Sequence, residues 1–185
     1  MFRSGLFKTS LYLLLFTSVT LWARKMPEMP EDFGSEEWVA ANYTEAVGYL
    51  KYLTDKQERE EFLSVPDNER LEVWQEFWSE FDPVDTTPEN EYRDAYFARI
   101  RHANESYGTI LQPGWLTEMG ETYIRLGLPN NLEKFSMRSG GKDIEIWSYW
   151  TPREVDLIFF DRSGLGDFRL LNPAEMIDQV FVYGR

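Results

Sequence analysis

The chain has no cysteine and a single histidine among its 185 residues. Without thiols there is no disulfide, no thiolate nucleophile, no cysteine-bound zinc and no lipid-modified cysteine. One histidine falls short of the two or three that a histidine-based zinc site takes. A nucleophile–histidine relay would have to use His102, which lies between Arg101 and Ala103 in a helical pattern. Placed there, His102 reads as a half-exposed helix residue rather than a catalytic base. Basic residues are also scarce: 19 Lys and Arg stand against 32 Asp and Glu, for a formal charge of -13. Such a surface repels phosphate backbones and anionic membrane faces, which excludes nucleic acid as an expected partner.

Long apolar runs are missing beyond residue 23, and one stands before it. Arg3 and Lys8 precede Leu11-Tyr12-Leu13-Leu14-Leu15-Phe16, and the run reaches Trp22. It is about a dozen residues long, short of the roughly 20 that cross a bilayer as a helix. A basic start followed by a short apolar stretch is the pattern of a secretory signal peptide. Ala23 suits the position before cleavage, but Leu21 is bulky where a small residue is preferred, so an uncleaved anchor is the alternative. Residues 1–23 therefore stand outside the fold. The pattern places the rest of the chain outside the cytoplasm, in the periplasm or cell envelope, with a membrane as partner only if the segment is retained.

What is present supports one folded domain. Hydrophobic residues make up 43%, too many for a disordered acidic chain, and the 16% aromatic share should dominate the core. A chain of this length buries a core without covalent staples.

Pro27, Pro30 and Gly34 mark residues 24–34 as a linker. Ser35 reads as a helix N-cap, with Glu36 and Glu37 in the first turn, and Trp38 to Leu50 carry a helix to about Leu53. Thr54 with Gln57 suggests a capping box for a short helix ending near Leu63, and Asp67 can cap the next. Leu71, Trp74, Phe77, Trp78 and Phe81 then line one helix face, opposite the solvated Glu72, Glu76 and Glu80. Thr87-Pro88 restarts a helix with the stripe Tyr92, Tyr96, Ile100, Ala103 and Tyr107, ending at Gly108.

After Pro113 the period shifts toward two. Gln112-Pro113-Gly114-Trp115 suits a type II turn, and Thr122, Ile124 and Leu126 alternate as a strand. Ile144 to Trp150, Val155 to Phe160 and Asp167 to Leu171 predict three more strands, with a glycine-containing hairpin at Asp161 to Gly166. Pro173 to Met176 can open a last helix or turn before Val180-Phe181-Val182-Tyr183. Helices first and strands second, without βαβ alternation, predict an α+β fold. Its helical half (35–108) would pack on a small C-terminal antiparallel sheet within 112–185.

Several separate segments resemble the GWxTD-domain family of bacterial proteins. Gly114, Trp115, Thr117, Gly120, Tyr123, Ile124, Arg125, Gly127 and Pro129 stand at positions of that family's signature. Upstream, Phe77-Trp78, Asp82-Pro83, Thr87 to Arg93 and Ala103-Asn104-Glu105 are similar too, as is Asp161 to Leu170 downstream. The resemblance spans about residues 55–172. It departs inside the signature: Glu118 stands where the family has aspartate, and Met119 and Glu121 stand where bases are expected. The resemblance carries over no catalytic residue, and any anionic ligand held by those bases would be lost here.

Trp115, Tyr123, Trp147 and Tyr149 are the candidate ligand-facing aromatics, with burial against the sheet as the alternative. Asp161, Ser163 and Asp167 could offer oxygens to calcium, but the spacing lacks the length and repeated acids of an EF-hand loop and suits a plain hairpin. With 32 acids, no chosen pair identifies a carboxylate hydrolase. The expectation is an exported, non-enzymatic structural or interaction module with an envelope protein as partner, without metal or cofactor. The alternative is a carbohydrate- or peptide-binding domain, with a carboxylate hydrolase behind both.

Overall fold

The computed structural model describes residues 29–84, 86–136, 143–150, 154–161 and 163–171. It is α+β. Six helices, α1 (Glu36–Ala41), α2 (Tyr43–Tyr49), α3 (Lys56–Ser64), α4 (Arg70–Ser79), α5 (Glu91–Tyr107) and α6 (Glu118–Leu126), precede four strands among the described residues. The strands β1 (Asn131–Phe135), β2 (Ile144–Tyr149), β3 (Val155–Asp161) and β4 (Phe168–Leu170) form an antiparallel meander in chain order.

Local chemistry sets most helix ends. The Ser35 hydroxyl accepts from the Trp38 N–H to start α1. The capping box lies one residue beyond its expected place: Asp55 and Glu58 satisfy each other's backbone N–H groups, while Thr54 donates back to the Leu50 carbonyl. Asn90, not Thr87, caps α5. Its Oδ1 accepts from Arg93 N while its Nδ2 donates to the Trp78 carbonyl at 2.7 Å, so one amide starts α5 and ties it to α4. Asp67 caps nothing and pairs with Arg70 instead. The single helix expected over 36–53 is broken at Asn42 and tightens to a 3-10 turn at Leu50–Tyr52.

The main correction concerns residues 114–126. The expected type II turn is a 3-10 turn at Gly114–Leu116, and the expected strand is the helix α6. Thr122, Ile124 and Leu126 fit a period of two, but Met119, Thr122, Tyr123 and Leu126 fit i, i+3, i+4, i+7 equally well. Capping decides between them. The Thr117 hydroxyl accepts from Gly120 N, Glu118 and Glu121 occupy the first turn, Arg125 the last, and Gly127 stops the helix at φ 76. β1 was not expected from the sequence: all five of its residues are exposed, so it carries no alternation to read. The leader expected at residues 1–23, the turn at 151–153 and the segment from Pro173 onward lie outside the described residues.

Two apolar clusters result among the described residues. Val39, Val47, Leu50, Trp74, Trp78, Phe97, Ile100 and Ile124 belong to the helical one; Met119, Trp147, Tyr149, Leu157 and Phe159 belong to the one under the sheet. α6 contributes to both, with Ile124 on one side and Met119 on the other, and is the layer between helices and sheet. Alternation on β2 and β3 sends Glu145, Trp147 and Tyr149 inward with Val155, Leu157, Phe159 and Asp161. Among the described residues no helix is long and apolar enough to cross a membrane.

Candidate functional site

The signature residues converge at the joint between α5, α6 and β4. Gly114 sits where a Cβ would lie 1.9 Å from the Ala103 carbonyl oxygen, so only glycine permits that approach to α5. The contact brings the Trp115 N–H to the Asn104 Oδ1 at 3.0 Å. The Trp115 carbonyl accepts from the Tyr52 hydroxyl at 2.7 Å, and its indole packs on Tyr49 and Tyr52, with centroids 4.8 and 6.3 Å away. Trp115 is therefore half-buried and held against the helical cluster rather than presented as an open platform.

Thr117 is buried and works twice. Its hydroxyl donates to the Gly114 carbonyl at 2.8 Å and accepts from Gly120 N at 3.0 Å. Gly120 is as constrained as Gly114, since its Cβ would fall 1.8 Å from the Gly114 carbonyl oxygen. The 3-10 turn and the first turn of α6 are thus locked face to face, without room for a methyl group at either glycine.

Glu118 reaches out of the helix instead of into it. Its carboxylate accepts from the Leu170 backbone N–H and pairs with Arg169 at 3.2 Å. Hydrogen bonds to Glu118 and Asp167 hold the Arg169 guanidinium above its ordinary pKa. Two of the separate segments that carry the family resemblance therefore touch here.

Farther along α6, Tyr123 lies 4.5 Å from the His102 ring and 5.8 Å from Tyr107, half-buried between them and the sheet. The Arg125 guanidinium pairs with Glu121 at 3.4 Å. At the helix end Arg99 donates to the Ile124 carbonyl at 3.1 Å, and Tyr149 donates to the Gly127 carbonyl at 3.0 Å. Pro129 is buried just before β1.

The ligand-facing expectation changes at two positions. Trp147 is 0% and Tyr149 4% exposed, so both are core residues beneath α6 and neither is open to a ligand. Trp147 also donates its indole N–H to the buried Glu145, whose other oxygen binds Lys134 at 2.7 Å. The three oxygen-bearing residues of the hairpin do not converge on a cation. Asp161 accepts from Ser163 N, Ser163 Oγ, Gly164 N and Gly166 N at 2.7–3.1 Å, while Asp167 pairs with Arg169. Burial pushes the Asp161 carboxyl up, but those four donors outweigh it and hold its pKa below the ordinary 3.8. Among the described residues no group of three or more His, Asp or Glu side chains could hold a metal ion.

The tie from Glu118 to β4 is what sequence reasoning missed. Glu118 and Leu170 are far apart in the chain, and the readable signal was that both signature and hairpin segments resemble one family. No curated protein and no solved structure matches the chain. The family model for the GWxTD domain matches residues 34–165, from the start of the helical layer to the hairpin beyond β3, and the chain belongs to that family.

Proposed function

We propose that this protein is an exported, non-enzymatic structural or interaction module of the bacterial cell envelope. The observation that carries the reading is the internal commitment of the signature. Gly114 and Gly120 provide close approach, Thr117 a double cap, and Glu118 a clasp on β4. Side chains committed to a joint between helices and sheet serve architecture, which suits a structural module better than a reaction centre.

The N-terminal pattern supports export, and the acidic composition favours a protein partner over nucleic acid. The partner is another envelope protein. Crosslinking in intact cells tests this: the expected result is a reproducible heteromeric adduct identified by mass spectrometry. Recovery of monomer alone would remove the reading.

A further inference from the structure

The two edges of the sheet are finished differently. β4 is three residues long, and its Leu170 N–H is taken by the Glu118 carboxylate. β1 is five residues long, pairs with β2 alone and is exposed along its whole length. Among the described residues no backbone group of β1 has a backbone hydrogen-bond partner outside the β2 ladder. One edge is clasped and the other is open. An open edge presents unpaired N–H and C=O groups as a template for another strand.

The side chains of β1 select the strand that fits. The chain has a formal charge of -13, yet Asn131-Leu132-Glu133-Lys134-Phe135 holds one acid and one base and is locally neutral. Leu132 stands opposite the inward Trp147, on the core side of the sheet, yet stays 39% exposed at the open edge. Two copies joined edge to edge by a two-fold axis place one residue opposite its own copy. With Glu133 on the axis, two carboxylates meet and Leu132 faces Lys134. With Lys134 there, two ammonium groups meet. Like charges directly opposite destabilise a strand pair. With Leu132 on the axis the two leucines meet, each Glu133 faces an Asn131 amide, and each Lys134 faces Asn130. The Asn131 amide already donates to Glu133 at 3.1 Å within the strand, and Lys134 keeps its bond to Glu145. Of these three registers, one is free of conflict.

We propose that β1 is a self-pairing edge: two copies of the chain dock antiparallel through β1, with Leu132 opposite Leu132, and their two four-stranded sheets join into one. The occupant is a second copy because the same five residues supply both halves of the match. Contact through five residues a side, against the ~20–30 of a standard interface, makes the dimer a reversible one. The charge of -13 on each copy opposes approach, and salt screens that repulsion beyond ~8 Å at 0.15 M. Association should therefore strengthen as salt is added.

The absence of cysteine makes the test direct, because one introduced thiol in the full chain can form a disulfide only with a second copy. Leu132→Cys and Glu133→Cys are oxidised beside Leu165→Cys, a 73% exposed reference on the Asp161 hairpin. Opposite residues have Cβ atoms ~4.5–5.5 Å apart, so Leu132→Cys should give dimer about tenfold faster than either. Sedimentation of the chain without these thiols should show mass rising with concentration and with salt. Leu132→Lys, at an exposed position, should stay monomeric with an unchanged circular dichroism spectrum. Oxidation of Leu132→Cys at the reference rate would overturn the proposal. So would fastest crosslinking at Glu133→Cys, or a Leu132→Lys chain that associates as before. The purified chain carries this test, so the fate of the envelope partner does not bear on it.

Discussion

The Glu118 carboxylate, at the first position of α6, accepts the backbone N–H of Leu170 in β4 and holds Arg169 beside it at 3.2 Å. A helix start and a strand 52 residues away are thereby joined through one side chain. α6 touches the helical cluster through Ile124 and the sheet cluster through Met119, so this clasp sits where the two halves meet.

Replacing Glu118 with alanine should lower stability by about 1–2 kcal/mol, mostly through the unmet Leu170 N–H. The half-exposed pair with Arg169 adds little by itself. Glu118→Asp, the residue typical of the family, is one methylene shorter and should fall between wild type and alanine. Denaturant midpoints measure all three, and an Asp variant equal to wild type would show that reach does not matter.

Glycine substitutions should separate sharply. Gly114→Ala and Gly120→Ala put a methyl carbon within 2 Å of a backbone oxygen and should cost more than about 4 kcal/mol each. Gly48 in α2 has nothing within 4 Å of its added carbon, and Gly48→Ala should gain about 0.5–1 kcal/mol. Thermal unfolding followed by circular dichroism distinguishes loss of fold from a modest rise in Tm.

Asp161→Asn keeps the shape but offers one carbonyl oxygen to loop donors that now meet two carboxylate oxygens. A loss of about 2 kcal/mol at neutral pH is expected, in the range for hydrogen bonds to charged groups. Because the folded pKa is depressed below 3.8, this stabilisation is present above that value and is lost as pH falls through the folded pKa. Urea titrations of both proteins should therefore show a gap that narrows only as the pH falls below 3.8. A constant gap would contradict the assignment.

Alkali should act through tyrosine. Burial raises the pKa of Tyr43, Tyr49, Tyr52, Tyr92, Tyr96, Tyr107 and Tyr149 above the ordinary 10.0. The stabilisation from keeping these phenols neutral is complete below pH 10. It is lost as pH rises toward the folded values, because the unfolded chain ionises first. Phenolate absorbance and helical ellipticity should change together in one cooperative transition above pH 10. Gradual ionisation with the helix signal intact would count against it.

Tryptophan fluorescence should stay flat across glycan and peptide panels. Trp147 and Tyr149 are enclosed, and the Trp115 and Tyr123 rings are covered by Tyr49 and by His102. A saturable change in emission would restore a binding role to this face.

The sequence made the helical layer legible because its aromatic stripes at 74–81 and 92–107 have one periodic reading. It made the β2–β3–β4 meander legible because alternation there is backed by turn chemistry. It misled at 119–126, where two periods fit the same residues, and only the cap from Thr117 and the stop at Gly127 select the helix. It was silent on β1, whose five residues are exposed and show no pattern.

By itself the sequence determined the family, the α+β order, the acidic character and the absence of thiol chemistry. These depend on composition and on neighbours in the chain. Only the tertiary structure decided that the signature is a joint, that Trp147 and Tyr149 are core, and that Asn104 contacts both Met29 and Trp115. Each of these depends on contacts across many residues: Gly114 against Ala103, Glu118 against Leu170, Asn104 against Met29. Local pattern carries no record of which distant backbone a side chain will meet.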